Sequence, residues 1–215
     1  MRLIDEFYYR VFGNFGGLLP LVFLFICVIV LGECLYFTVI AKKRREHGLV
    51  TGSKYLLLRW IFYLYLLFVY RQTGISGVFW TGQAIEVSRI YLIPFTTSPD
   101  PTPYILNVLM TIPLGIMLPF IWSTMRKWWK VTLTGLLLSF GIEFTQLFTW
   151  RVSATSDLIM NTLGALLGYL IFMIFFSWAL RSDVTKTSTK IINNEAIFYL
   201  ILSLVGAVVL YFPLF

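Results

Sequence analysis

The chain has 215 residues, of which 59% are hydrophobic and 13% charged, with a mean hydropathy of +0.83. A water-soluble domain carries about half apolar and a quarter charged residues, so this composition excludes an ordinary soluble enzyme and names the bilayer as solvent. The net charge of +7 does not indicate a nucleic-acid partner, because the basic residues cluster at the ends of apolar segments, as membrane topology demands.

Six segments have the length of about 20 apolar residues that a bilayer crossing requires. They fall near residues 16–41, 54–71, 104–125, 131–149, 158–180 and 196–214. The expected fold class is therefore all-α: a polytopic six-helix transmembrane bundle. The first segment contains both cysteines, Cys27 and Cys34, which act as small packing residues. Its apolar run is too long for a cleaved signal peptide, and the "KKRRE" that follows anchors it at the membrane surface. His47, the single histidine, lies in that basic loop, so a histidine triad or a multi-histidine metal site is not expected. No cofactor is expected either, and the aromatic run "WIFYLYLLFVY" of the second segment serves packing and lipid contact. Glu33 in the first segment and Arg59 in the second are expected to pair.

Topology follows from the basic residues. With the N-terminus outside, Lys42, Lys43, Arg44, Arg45, Lys54, Arg126, Lys127, Lys130, Arg181, Lys186 and Lys190 lie inside, against Arg2, Arg10, Arg71, Arg89 and Arg151 outside. Eleven against five sets both termini on the extracytoplasmic side. The long connection 72–103 is then external. Within it, "VFWTGQAIEVSRIYLIPF" has the amphipathic, aromatic character of an interfacial or re-entrant cap, ended by Pro94, Pro99, Pro101 and Pro103.

On this topology the scarce polar residues converge. Asn107 begins the third span, Glu143 and Gln146 share one face near the end of the fourth, and Arg151 and Asp157 occupy the turn. Asn161 begins the fifth span, and Arg89 lies in the external loop. A carboxylate in lipid is costly, so Glu143 should face protein or a wet cavity, with Arg151 or Arg89 as partner. Gly164 and Gly168 form a G-x-x-x-G face for close helix approach, and the "PLG" at 113–115 offers a matching point in the third span.

Four elements carry a family resemblance, in order: "RIYLIPF" (89–95), "NVLMTIPLGIMLP" (107–119), "IEFTQ" (142–146) and "RVSATSDLIMNTLGALLG" (151–168). Together they resemble the VanZ-like family of small bacterial membrane proteins, with one departure at Tyr91, where the family often has Asn. The resemblance covers 55–178 as a four-helix core. Residues 1–54 and 179–215 then add one outer span and one basic cytoplasmic loop each. It implies a bacterial cell-membrane location and, for the founding branch, tolerance of the glycopeptide teicoplanin. It also carries the family's candidate ligand-binding positions onto Arg89, Asn107, Glu143, Gln146, Arg151, Asp157 and Asn161.

Three functions compete at that cluster. The first is binding or shielding, besides membrane lipids, of a lipid-linked peptidoglycan precursor or lipoglycopeptide at the outer leaflet. In it, arginines would meet phosphate or carboxylate, and amides and carboxylates would meet sugar or peptide. The second is an intramembrane enzyme with Glu143 and Asp157 as acid/base candidates, although no Ser, Cys or His nucleophile is arranged to help them. The third is a small transporter or flippase, disfavoured because the polar track stops at the outer half.

Overall fold

The computed structural model describes residues 26–27, 30–34, 37–38, 42, 53–74, 87–148, 151–176 and 195–210. Most of the expected first span, the basic loop with His47, residues 75–86 and the 179–194 connection lie outside the described residues. The others form five long helices: α1 (Ser53–Thr73), α2 (Thr102–Ile121), α3 (Trp128–Gln146), α4 (Thr155–Phe175) and α5 (Glu195–Leu210). The pieces around 26–34 are helical as well. Each long helix falls on one of the expected apolar segments, and α2 and α4 are long and apolar enough to cross a membrane.

Burial is inverted relative to a soluble protein. Leu57, Leu64, Leu137, Phe140, Ile174 and Phe175 all face outward, while Arg59 is fully buried. An apolar belt of this extent is intolerable in water and suits acyl chains.

The tightest packing joins α2 to α4. A Cβ at Gly168 would strike the Ile112 carbonyl and lie 2.8 Å from Gly115 Cα. One at Gly115 would strike the Ala165 carbonyl, and one at Gly164 the Val108 carbonyl and the Thr111 hydroxyl. The two helices therefore run parallel, backbone against backbone, as the small-residue faces imply. Gly135 of α3 meets Ala165 in the same way, which seats α3 antiparallel to α4.

A polar cluster joins α1 to α5. Arg59 forms an ion pair with Glu33, as the sequence suggests, and its Nη1 donates to the Tyr199 hydroxyl at 2.9 Å. The Tyr55 hydroxyl donates to Glu195, and Tyr70 and Ser203 share a hydrogen bond of 2.8 Å. The contact order 55–195, 59–199, 70–203 shows α1 and α5 parallel. Thus α1, α3 and α5 run one way and α2 and α4 the other, the alternation that successive crossings require.

Two short segments depart from helix. Val87–Arg89 is a 3-10 turn that leads into β1 (Ile90–Tyr91), which pairs in parallel with β2 (Ser153–Ala154) in the α3–α4 connection. So the described part of the amphipathic loop is an extended strap rather than a helix. Its prolines account for this, and Phe95 adopts a left-handed φ of 62°. Leu92, Ile93 and Phe95 remain exposed, in keeping with an interfacial position. At its end the Asp100 carboxylate accepts from Thr102 N at 2.9 Å and from the Thr102 hydroxyl at 2.7 Å. These bonds, the backbone one first, hold its pKa below the usual carboxylate range.

Two outcomes follow. Gly168→Val places branched carbons against the α2 backbone and should destabilise the fold by about 1–3 kcal/mol, measured by thermal unfolding in detergent. Arg59→Met leaves the Glu33 charge unpaired and should cost roughly 3–5 kcal/mol, part of which the double change with Glu33→Gln restores.

Candidate functional site

Where α1 and α3 end and α2 and α4 begin, the bundle holds a cavity of about 500 Å³. Its walls include Asn107, Glu143, Gln146, Arg151, Asp157 and Asn161, six of the seven residues singled out in the sequence. The lining also has apolar side chains, with Phe68 from α1 and Leu106, Leu109 and Met110 from α2. Arg89 does not line the cavity. It lies in the 3-10 turn before β1, at the strap that covers the α3–α4 connection.

Each polar side chain is placed by the helix packing. The α2–α4 seam brings Asn107 of α2 and Asp157, in the first turn of α4, into the lining of the same cavity. Asp157 in that first turn is favoured by the amino-terminal end of the helix dipole. One turn further along α4, Asn161 Nδ2 donates to Ser139 Oγ of α3 at 2.9 Å. Asn161 is 2% exposed, and its Oδ1 has no hydrogen-bond partner among the described residues.

Glu143 is buried, and its Oε2 accepts from the Ala154 backbone N–H at 2.8 Å. Its hydrogen bond goes to the β2 segment, because that segment folds back directly over the end of α3. Arg151 favours the carboxylate through space, whereas Asp157 opposes it. Glu143 therefore anchors the connection that carries Arg151 and Asp157.

Gln146 Nε2 donates to the Thr73 carbonyl at 2.9 Å, satisfying one of the terminal carbonyls of α1. The next residue, Gly74, has φ 66°, the left-handed conformation that ends many helices. A Cβ there would lie 2.7 Å from Arg151 Cδ, so the Arg151 stem rests across Gly74. The guanidinium is thereby brought near the carbonyl end of α1, where a cation is favoured.

Sequence reasoning missed Ser139, Gly74, and the main-chain partners Thr73 and Ala154. Ser139 had a signal: Gly135, Ser139, Glu143 and Gln146 recur every three or four residues along one face of α3. The main-chain partners had none, since any residue type supplies a carbonyl or an amide. Among the described residues no group of His, Cys, Asp and Glu is placed to hold a metal ion.

Compared with known families, residues 57–176 match the model described as VanZ/LLP1. A comparison with curated proteins gives no match, and neither does a comparison with solved structures.

The tie from Glu143 to Ala154 makes a graded outcome. Glu143→Leu strands the buried Ala154 N–H and should cost about 1–3 kcal/mol, whereas Glu143→Gln keeps an acceptor oxygen and should cost less. Thermal unfolding of the purified variants measures both.

Proposed function

The chain belongs to the VanZ/LLP1 family, and from that premise we propose a multi-pass membrane protein whose polar cavity binds a cell-envelope amphiphile at the outer leaflet. Family membership and the two membrane-capable helices are consistent with a membrane protein associated with antibiotic resistance. The finer reading is that the cavity engages a lipid-linked peptidoglycan precursor or a lipoglycopeptide and so contributes to teicoplanin tolerance.

The observation that carries this reading is the mixed lining of the cavity. Carboxylates and amides (Glu143, Asp157, Asn107, Gln146, Asn161) line it together with the apolar side chains Phe68, Leu106, Leu109 and Met110. A small soluble ligand has no use for the apolar lining, and a plain acyl chain has none for the carboxylates. A molecule with a polar head and an apolar tail uses both. The excess of basic residues at the opposite ends of the helices supports an extracytoplasmic cavity in a chain of six crossings with both termini outside.

An acid/base enzyme is the second reading, favoured by one feature: Glu143 and Asp157 line the same cavity. The bond from Ala154 N–H to Glu143 Oε2 weighs against it, because it commits that oxygen to holding the turn. Formation of a chemically altered envelope lipid by the wild type, and not by Glu143→Gln, would promote the enzyme.

For binding, the test is teicoplanin tolerance in a susceptible Gram-positive host expressing the wild type, Asp157→Asn or Glu143→Gln, with membrane protein levels measured alongside. Tolerance should fall to the empty-vector level in both variants at unchanged protein level. Full tolerance in both, at normal levels, refutes the assignment.

A further inference from the structure

We propose that the cavity is entered sideways from the bilayer, between α1 and α2, by an acyl-chain amphiphile whose head is rich in hydroxyl, amide or amine donors. The inference rests on the amphiphile-binding reading above and adds the route and the head chemistry.

The route comes from the packing. The α2–α4 seam is closed backbone to backbone, and α3 is drawn against α4 by Gly135. By contrast, α1 and α2 are joined by a hydrogen bond from the Tyr65 hydroxyl to the Met110 carbonyl, at 2.9 Å, near mid-helix. Beyond it, Phe68, Leu106 and Leu109 are 51%, 57% and 56% exposed, yet all three line the cavity. Side chains that belong at once to the cavity wall and to the lipid-facing belt mark an opening between the two. Described parts of the first segment do not cover it. Gly32 lies against Tyr63 and Leu202, and Glu33 pairs with Arg59. Phe68 follows Arg59 by nine residues, which is about 180° round the helix, on the far side from that contact.

The head chemistry comes from the polar lining. Glu143 and Asp157 present carboxylates, and the Asn161 Oδ1 is a buried acceptor with no partner among the described residues. These groups call for donors. Two carboxylates repel a phosphate placed between them, and Arg151, the one cation on the wall among the described residues, is exposed, with its stem across Gly74. A sugar or amino-sugar head fits between them, with its tail passing Leu109 into the acyl region and any phosphate linking the two left toward Arg151, whereas a phospholipid, whose head is the phosphate itself, does not fit.

The experiment uses the full chain in lipid nanodiscs and two photoreactive long-chain alkyl glucosides, one with a diazirine on the sugar and one with it at the chain end. Adducts are mapped by mass spectrometry. The head probe should label 139–161 and the chain probe 66–70 and 105–110, both suppressed by excess unlabelled alkyl glucoside and not by phosphatidylglycerol. Leu109→Trp should reduce both adducts roughly tenfold, the effect of overfilling a close-packed gap, while Phe140→Trp on the outer face of α3 leaves them unchanged. Chain adducts spread evenly round the belt, with the head adduct intact, overturn the lateral route and leave the binding reading standing. Equal suppression by phosphatidylglycerol overturns the head chemistry. Absence of any suppressible head adduct overturns the binding reading and this proposal with it.

Discussion

Everything in this bundle is referred to one close contact, the passage of α2 against α4 through Gly115, Gly164 and Gly168. In lipid there is no hydrophobic force to push helices together, so close van der Waals approach and buried polar bonds must do so. Parallel contact with no side chains between also removes freedom of register. Once Ile112 faces Gly168, the earlier turns of α2 run beside the earlier turns of α4, and Asn107 and Asp157 come to line one cavity. Gly135 then seats α3 against Ala165, and the face that carries Ser139, Glu143 and Gln146 turns toward the same end of the bundle.

Polar groups are used sparingly, and the buried charged side chains Arg59 and Glu143 are tied to partners. Around Arg59 the bonds to Glu33 and Tyr199 pair a fully buried cation, and they bind α1 to the first segment and to α5. At the other end, Glu143 and Gln146 spend hydrogen bonds on main-chain groups of the β2 segment and of α1. The two ends differ in kind. The Arg59 cluster is closed by tyrosine rings, with Tyr199 5.3 Å from the guanidinium carbon, whereas the second end encloses a cavity. That difference is why a ligand is assigned to one end and a structural role to the other.

The α3–α4 connection shows how function depends on the scaffold. Its residues 151–154 are held by β1 on one side and by Glu143 on the other. Arg151 is further held by the bare surface of Gly74. A short connection held at three points can present Arg151 and Asp157 in fixed positions while the strap before α2 stays at the surface.

Much of this was legible in the chain. Long apolar runs specify membrane helices because a backbone without water must satisfy its own hydrogen bonds, and the small-residue spacing in 164–168 and 113–115 specifies which faces can meet. The three-and-four spacing of Glu143, Gln146, Asp157 and Asn161 specifies one polar face on each arm of a hairpin. What only the tertiary structure decided was the choice of partner. Glu143 meets a backbone amide that charge alone does not suggest, and Arg89 lies beside the strap and off the cavity wall. A stretch that looked amphipathic ends, in its described part, as a strand paired to a distant turn. Periodicity is a property of side chains along one helix and is written in the sequence. Partners supplied by main-chain groups, and openings between helices, depend on where separate segments come to rest.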